Sequence, residues 1–361
     1  MSPWATTVCV VSANAADADF VTLFFGDRWT LLQHHRGITH SVVGTIAIGV
    51  LIPTFAYLLE LAVARIRRRP RRIRFGGLLL ASLLTSATHP ILDWTNNYGV
   101  RPFLPWSGRW FYGDLVYIVD PYIWLVLGVI CFLLTSKTRA KIVGWAVLGF
   151  CAMVVIGFVA RPQNADSAPL RMALLIWILA LAAVCAARAY GLHRWFGRKT
   201  ALAGLAALVG YWAISGSVHC AALSNAKSLA SNVAAARGEH VLRAAAMPMA
   251  ASLFRWQAVA ETDEAMYRFM VGPGALNTAE SGIGLTRFPK PKGRASALVD
   301  NSEQDRRIQT LLGFARFPIA RVDADDCVGQ TLVQWADLRY TEPGRGRGNF
   351  SVDIPVDCLS R

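Results

Sequence analysis

The chain has 361 residues, of which 54% are hydrophobic and only 17% charged, with a mean hydropathy of +0.37. That leaves too little polar surface for a compact soluble globule and excludes a disordered chain. The formal charge of +14 would ordinarily point to nucleic acid. Here the basic residues cluster between apolar runs, so they mark membrane orientation instead. The expectation is a mainly α, polytopic membrane protein with no nucleic-acid partner.

A spanning helix needs about 20 mostly apolar residues to cross ~30 Å of hydrocarbon. Pro3–Ala13 is apolar but too short by that measure. Windows that meet or approach the length are Ser41–Ala64, Phe75–Leu92, Ile118–Thr135, Ile142–Ala160, Ala168–Ala187 and an Ala/Gly-rich sixth at Thr200–Val218. Residues 65–74 hold seven arginines, Lys137, Arg139 and Lys141 follow the third window, and Arg188, His193, Arg194, Arg198 and Lys199 follow the fifth. If six spans alternate, all three clusters share one side, which the positive-inside rule makes cytoplasmic. The arginine run also has a reading as an anionic-lipid or nucleic-acid patch, which the spacing between spans makes the weaker one.

This reading divides the chain into a membrane domain, 1–221, and an extracytoplasmic α+β domain, 222–361. Within the latter, residues 222–260 look helical. Asp305–Phe314 reads as a short amphipathic helix, and Phe317–Val322, Thr331–Tyr340 and Asn349–Val356 alternate as strands do. No internal repeat is apparent. The seven cysteines contain no C-x-x-C pair, which disfavours a zinc ribbon. Cys327 and Cys358 could pair in an oxidising compartment.

Three polar stretches interrupt the hydrophobic logic. They are Gln33–Ser41 at the mouth of the first window, His89–Gly99 at the end of the second, and Trp110–Asp114 running on to Asp120-Pro121. Ionisable groups at that depth are costly unless paired, hydrated or metal-bound. Imidazole and carboxylate suit zinc and similar divalent ions. His89 and Asp93 stand at i,i+4 and would share a helical face, with Pro90 in the first turn of a new segment. His35 and His40 fit a loop folding back around Gly37, and Arg36 could balance an anionic oxygen. Other features have plainer readings. Asp120 looks like an N-cap before a first-turn proline, Asn97-Tyr98-Gly99 like a turn, and Tyr112, Trp94, Trp106 and Trp110 like interfacial aromatics. His193, His219 and His240 lack carboxylate company. For His35, His40, His89 and Asp93 the plain alternative is a polar interhelical network.

Several of these segments, in order, resemble a bacterial family: His35-Arg36-Gly37-Ile38-Thr39-His40-Ser41, His89-Pro90-x-x-Asp93 with Asn97-Tyr98-Gly99, and Tyr112-Gly113-Asp114 with Asp120-Pro121. It is the inner-membrane-associated, LexA-linked metal-dependent hydrolases. Ala13–Asp19 resembles that family's Asn-x-Pro-Asp-x-Asp segment, with Ala16 at the proline position. Pro248, Phe254-x-Trp256 and Phe314–Pro318 resemble its longer members. The family usually opens with Met-Asp-x-x-Thr-His and a further helix, and neither is seen here. A late start or a truncated copy would explain that difference, and one histidine ligand would then be missing.

The resemblance implies a hydrolase of the bacterial inner membrane with a divalent metal, zinc first, at the periplasmic face. His35, His40, His89, Asp93 and Asp17 are the candidate ligands. Asp114 or Asp19 would act as general base and Arg36 as oxyanion stabiliser. An amphiphilic ester or phosphoester, such as a membrane lipid, would be the substrate. The alternatives are a non-catalytic scaffold or envelope stress component, and, more weakly, a transporter.

Overall fold

A computed structural model of the chain describes residues 4–159, 168–191, 193–274, 284–324, 329–344 and 350–358. It is mainly helical, with a smaller β portion towards the C-terminus. Helix α1 (Ala5–Asn14) continues without a break into a 3-10 stretch, Ala15–Phe24. Then come α2 (Arg28–His34), α3 (Val42–Ile66), α4 (Phe75–Trp94), α5 (Pro121–Thr135), α6 (Arg139–Val159), α7 (Ala168–Ala189) and α8 (His193–Ala235).

Among the described residues, six helices are long and apolar enough to cross a membrane: Ala5–Phe24, Val42–Ile66, Phe75–Trp94, Arg139–Phe158, Arg171–Ala189 and Lys199–Ala235. Two expectations change. The N-terminal apolar segment is not too short, because the helical path runs on through Asp17 and Asp19, whose carboxylates meet histidines. The window at Ile118–Thr135 shortens to the 15 residues of α5, because the Asp120 carboxylate caps it by accepting from the Tyr122 and Ile123 amides.

A four-stranded sheet has the order β1 (Val241–Pro248), β2 (Trp256–Thr262), β3 (Ala265–Val271), β4 (Thr286–Pro289). The helical expectation for 222–260 therefore holds only to Ala235. Strand β2 is buried along nearly its whole length, so no polar alternation marks it, and the alanines on either side read as helix. Helices α9 (Arg294–Ser302) and α10 (Arg306–Phe314) precede an antiparallel sheet of β5 (Pro318–Val322), β6 (Gln330–Asp337) and β7 (Ser351–Asp357). These match the expected helix and three strands within a few residues. Cys358 is disulfide-bonded, and Cys327 lies outside the described residues.

The chain divides into two compact units. The second, Asp114–Ala260 with Arg268–Thr286, is built on α5, α7 and α8. Tyr211 donates to the Asp120 carboxylate over 2.7 Å, and the Trp177 indole donates to the Pro121 carbonyl.

The first unit, Met1–Gly113 with Glu261–Tyr267 and Arg287–Arg361, holds the polar stretches at 33–41 and 89–99. Helices α3 and α4 pack closely at Gly49, where a Cβ would stand 2.6 Å from Leu83 Cδ2 and 2.9 Å from Ser86 Oγ. Ser12 and Ser82 share a 2.7 Å hydrogen bond that fixes α1 on α4. One hydrophobic core joins Trp29 and Leu32 of α2 and Tyr98 to Leu311 and Phe314 of α10 and to Trp335 and Ile354 of the three-stranded sheet. The C-terminal strands are therefore part of the packing that holds the 95–99 turn.

Candidate metal centre

Four donor atoms converge where the 3-10 stretch, the 35–41 loop and the end of α4 meet. His40 Nε2 lies 3.5 Å from Asp17 Oδ1 and 3.2 Å from Asp93 Oδ2, and His89 Nε2 lies 3.4 and 3.6 Å from the same two oxygens. These four separations are close to the edge of a tetrahedron whose centre is ~2.0–2.1 Å from each corner, about 3.3–3.4 Å. Asp17, His40 and His89 form a trio that could hold a metal ion, with one donor atom from each within 4.8 Å of the others. Local structure puts each donor there. His89 and Asp93 lie one turn apart on α4, which runs through Pro90 without breaking; the proline is inside the helix rather than at the start of a new one. His40 ends a short 3-10 turn, Ile38–His40, reached after Arg36 turns the chain with φ +53°. A Cβ on Gly37 would collide with the His34 carbonyl.

The surrounding hydrogen bonds settle which imidazole nitrogens face inward. His89 Nδ1 donates to the Ala13 carbonyl over 2.8 Å, and a carbonyl can only accept. His40 Nδ1 faces Thr39 Oγ1 at 3.1 Å and Asp19 Oδ2 at 3.3 Å. With each Nδ1 committed in this way, it is Nε2 of both imidazoles that faces the carboxylate oxygens. His40 Nε2 and Asp93 Oδ2 are buried and make no hydrogen bond of acceptable geometry. Lone pairs facing lone pairs are tolerable only with a proton or a metal cation between them. Burial opposes charge on His40, yet Asp17, Asp19 and Asp93 outweigh it and lift its pKa to about 10. With three carboxylates against one guanidinium, the cluster calls for added positive charge.

The remaining residues support these four, as partners of metal ligands commonly do. Asp19 is buried and spends both oxygens on His35 Nδ1, the Arg36 amide, Thr39 Oγ1 and His40 Nδ1. That occupation suits positioning better than proton transfer. The Arg36 guanidinium sits 2.8 Å from Asp93 Oδ1 and also donates to the Asp93 and Gly99 carbonyls and to Asn96 Oδ1. It lies 4.5 Å over the Tyr98 ring. His35 pairs with Asp19 and packs against Phe20 and Tyr98. Asp17, Asp19 and His35 form a second trio whose donor atoms lie within 4.8 Å of one another, so the two trios share Asp17 and His35 belongs to the second. Asp114 belongs to the second unit, buried with φ +51°, and its assignment to the site rests on sequence alone.

Sequence reasoning missed Thr39, Asn96 and the role of Tyr98. Asn97-Tyr98-Gly99 is the expected turn, with Gly99 at φ +87°. It also carries Tyr98 into the shared core, where burial lifts the phenol to about 12 and keeps it neutral. A buried ion pair anchors that turn from the far end of the sequence. Arg339 bonds Asp337 and donates to the Asn97, Tyr98 and Phe314 carbonyls. Of the expected interfacial aromatics, Trp94 and Trp106 are exposed, whereas Trp110 donates to the Gly313 carbonyl.

A family model described as YdjM inner membrane protein matches residues 2–164, the part that holds every candidate site residue. The chain is also similar to an uncharacterized protein, YfhP, of Bacillus subtilis (strain 168). The two are 28% identical over 116 residues, a match that spans 32% of each chain. No solved structure matches. With six apolar helices of spanning length and this likeness to an inner-membrane family, the chain is a multi-pass membrane protein.

Proposed function

We propose that the protein is a membrane-embedded, metal-dependent hydrolase whose centre is Asp17, His40, His89 and Asp93. The observation that carries the reading is the trio Asp17, His40 and His89, with Asp93 Oδ2 against both imidazoles and with His40 Nε2 and Asp93 Oδ2 buried without a hydrogen bond. A divalent ion, zinc first, would supply Lewis acidity and make deprotonation of a water accessible near pH ~7. Asp19 and the Ala13 carbonyl hold the two imidazoles in the tautomer that ligation needs, and Arg36 fixes Asp93. Asp17 is the exposed edge of the group, its side chain 43% accessible against 0% for His40, so water and substrate reach the centre from that side. With the shorter apolar helix α5 also crossing, the basic clusters that follow α3, α5 and α7 share one side, which the positive-inside rule makes cytoplasmic, and the centre at the end of α4 lies on the periplasmic side of the inner membrane. Its place at the end of two spanning helices favours an amphiphilic ester or phosphoester, such as a phospholipid.

The test is metal content by mass spectrometry on detergent-purified protein, with turnover of short-chain carboxylic esters and phosphoesters measured on the same samples. About one equivalent of metal, lost together with activity in His40→Ala/His89→Ala, is the expected result. Metal without turnover on any of these substrates would leave a structural centre, as in a scaffold. Absence of metal would overturn the reading.

A further inference from the structure

A second site lies in the same unit. A cavity of about 460 Å³ is lined by Arg101, Arg306, Trp110, Phe314, Leu32 and Gln309, among others. Its two arginines have no carboxylate within ion-pair distance among the described residues. The Arg101 guanidinium stacks 4.6 Å over the Trp110 ring, and one Nη donates to the Gln33 and His35 carbonyls. Its Nε is buried without a hydrogen-bond partner. The one carboxylate whose charge reaches it, Asp19, is already committed to His35, Arg36, Thr39 and His40. Arg306 is exposed at the start of α10, while its neighbour Asp305 is taken by Arg307. Leu32, Phe314 and the Trp110 ring give the same cavity an apolar wall.

A partly buried guanidinium with no carboxylate partner, a second one lining the same cavity and an apolar wall together point to an anionic, partly apolar ligand. We propose that this cavity binds a phosphate-type anion carried on an amphiphilic molecule. The guanidinium fork matches phosphate oxygens geometrically and by charge. Burial disfavours the charge on Arg101, and a bound anion offsets that cost. The site needs no metal, so it stands apart from the hydrolase reading. Through the His35 carbonyl it also touches the loop that carries His40, so an anion bound there lies against the backbone that positions the centre.

The experiment is calorimetric titration of the full chain in detergent with chelator present. The probes are inorganic phosphate, dihexanoyl phosphatidate and dihexanoyl phosphatidylcholine. Phosphatidate should bind, and Arg306→Glu, at an exposed position that folding does not need, should weaken it about tenfold or more. Arg101→Lys should weaken it as well. Phosphate binding alongside phosphatidate makes the anion sufficient; phosphatidate binding alone makes the acyl contacts necessary. Equal binding of phosphatidylcholine, or unchanged affinity in Arg306→Glu, overturns the proposal. Anion binding that vanishes in chelator and returns with zinc also overturns it, while leaving the metal centre intact.

Discussion

The packed pair α3 and α4 carries an acidic group near each of its ends, Glu60 on α3 and Asp93 on α4, and the two differ in one respect. At the arginine-rich end, Glu60 is 1% exposed. It accepts from Arg69 through both oxygens, from the Arg72 amide and from the Trp4 indole. Every lone pair has a donor, so the network closes and braces the turn between α3 and α4. At the other end, Asp93 has a donor for Oδ1 in Arg36, but Oδ2 faces the Nε2 atoms of His40 and His89 and is buried without a hydrogen bond. A closed network is a structural device. In the function proposed above, the one left open is where the cation binds.

The largest expected effect breaks that comparison outright. His40→Ala/His89→Ala should reduce bound metal from about one equivalent to background, while Glu60→Gln leaves metal content unchanged. Loss of metal from both variants, read by mass spectrometry, would show that the open network has no special role. Next comes Arg339→Ala, which strands Asp337 in a fully buried position. Removing one partner of such a pair costs about 3–5 kcal/mol. Denaturation monitored at the C-terminal strands should show that loss, with weaker metal retention because the 95–99 turn loosens.

Asp19→Asn sharpens the comparison, since it alters a residue behind the ligands and leaves the ligands in place. A fall in metal affinity of about 10–100-fold is expected from competition with a chromophoric chelator, and an unchanged affinity would make Asp19 merely a packing group. The pH dependence is smaller. His40 has a folded-state pKa raised from 6.5 to about 10. In chelator its contribution to stability is therefore complete below pH ~6.5 and fades as pH rises through about 10. Melting temperature in chelator should fall across that window, and zinc should flatten the slope by replacing the proton. The smallest effect is Glu60→Gln itself. It should lower the melting temperature modestly, because it removes charge from the Arg69 contact and keeps the shape.

Much of this organisation is written in local composition. Apolar run length gave the spanning helices α3, α4, α6 and α7, and the i,i+4 spacing of His89 and Asp93 placed both on one face of α4. Period-two alternation marked β5, β6 and β7, where one face is solvated. It failed at β2, which is buried along nearly its whole length, and at β1, where exposed Leu242 and Arg243 stand together ahead of an alanine run, so neither strand alternates. Run length failed at α1, where the apolar segment stops short of two aspartates and the helical path continues through them to Phe24.

The candidate ligands His35, His40, His89 and Asp93 were legible as residue types whose burial is costly, and Asp17 came from the family-like segment Ala13–Asp19. Their ranking was not legible. His35 and His40 are equivalent in sequence, yet one points Nε2 at Asp17 and Asp93 while the other pairs with Asp19. That choice depends on the left-handed turn at Arg36, and the Arg339 clamp holds the neighbouring 97–98 turn from more than 240 positions away in the chain. Sequence alone determined where the chain enters apolar surroundings and which side chains could not rest there unpartnered, because both follow from transfer free energies of single residues. Only the tertiary structure decided which lone pairs stay open, because satisfaction of a polar atom depends on groups brought together from four distant segments.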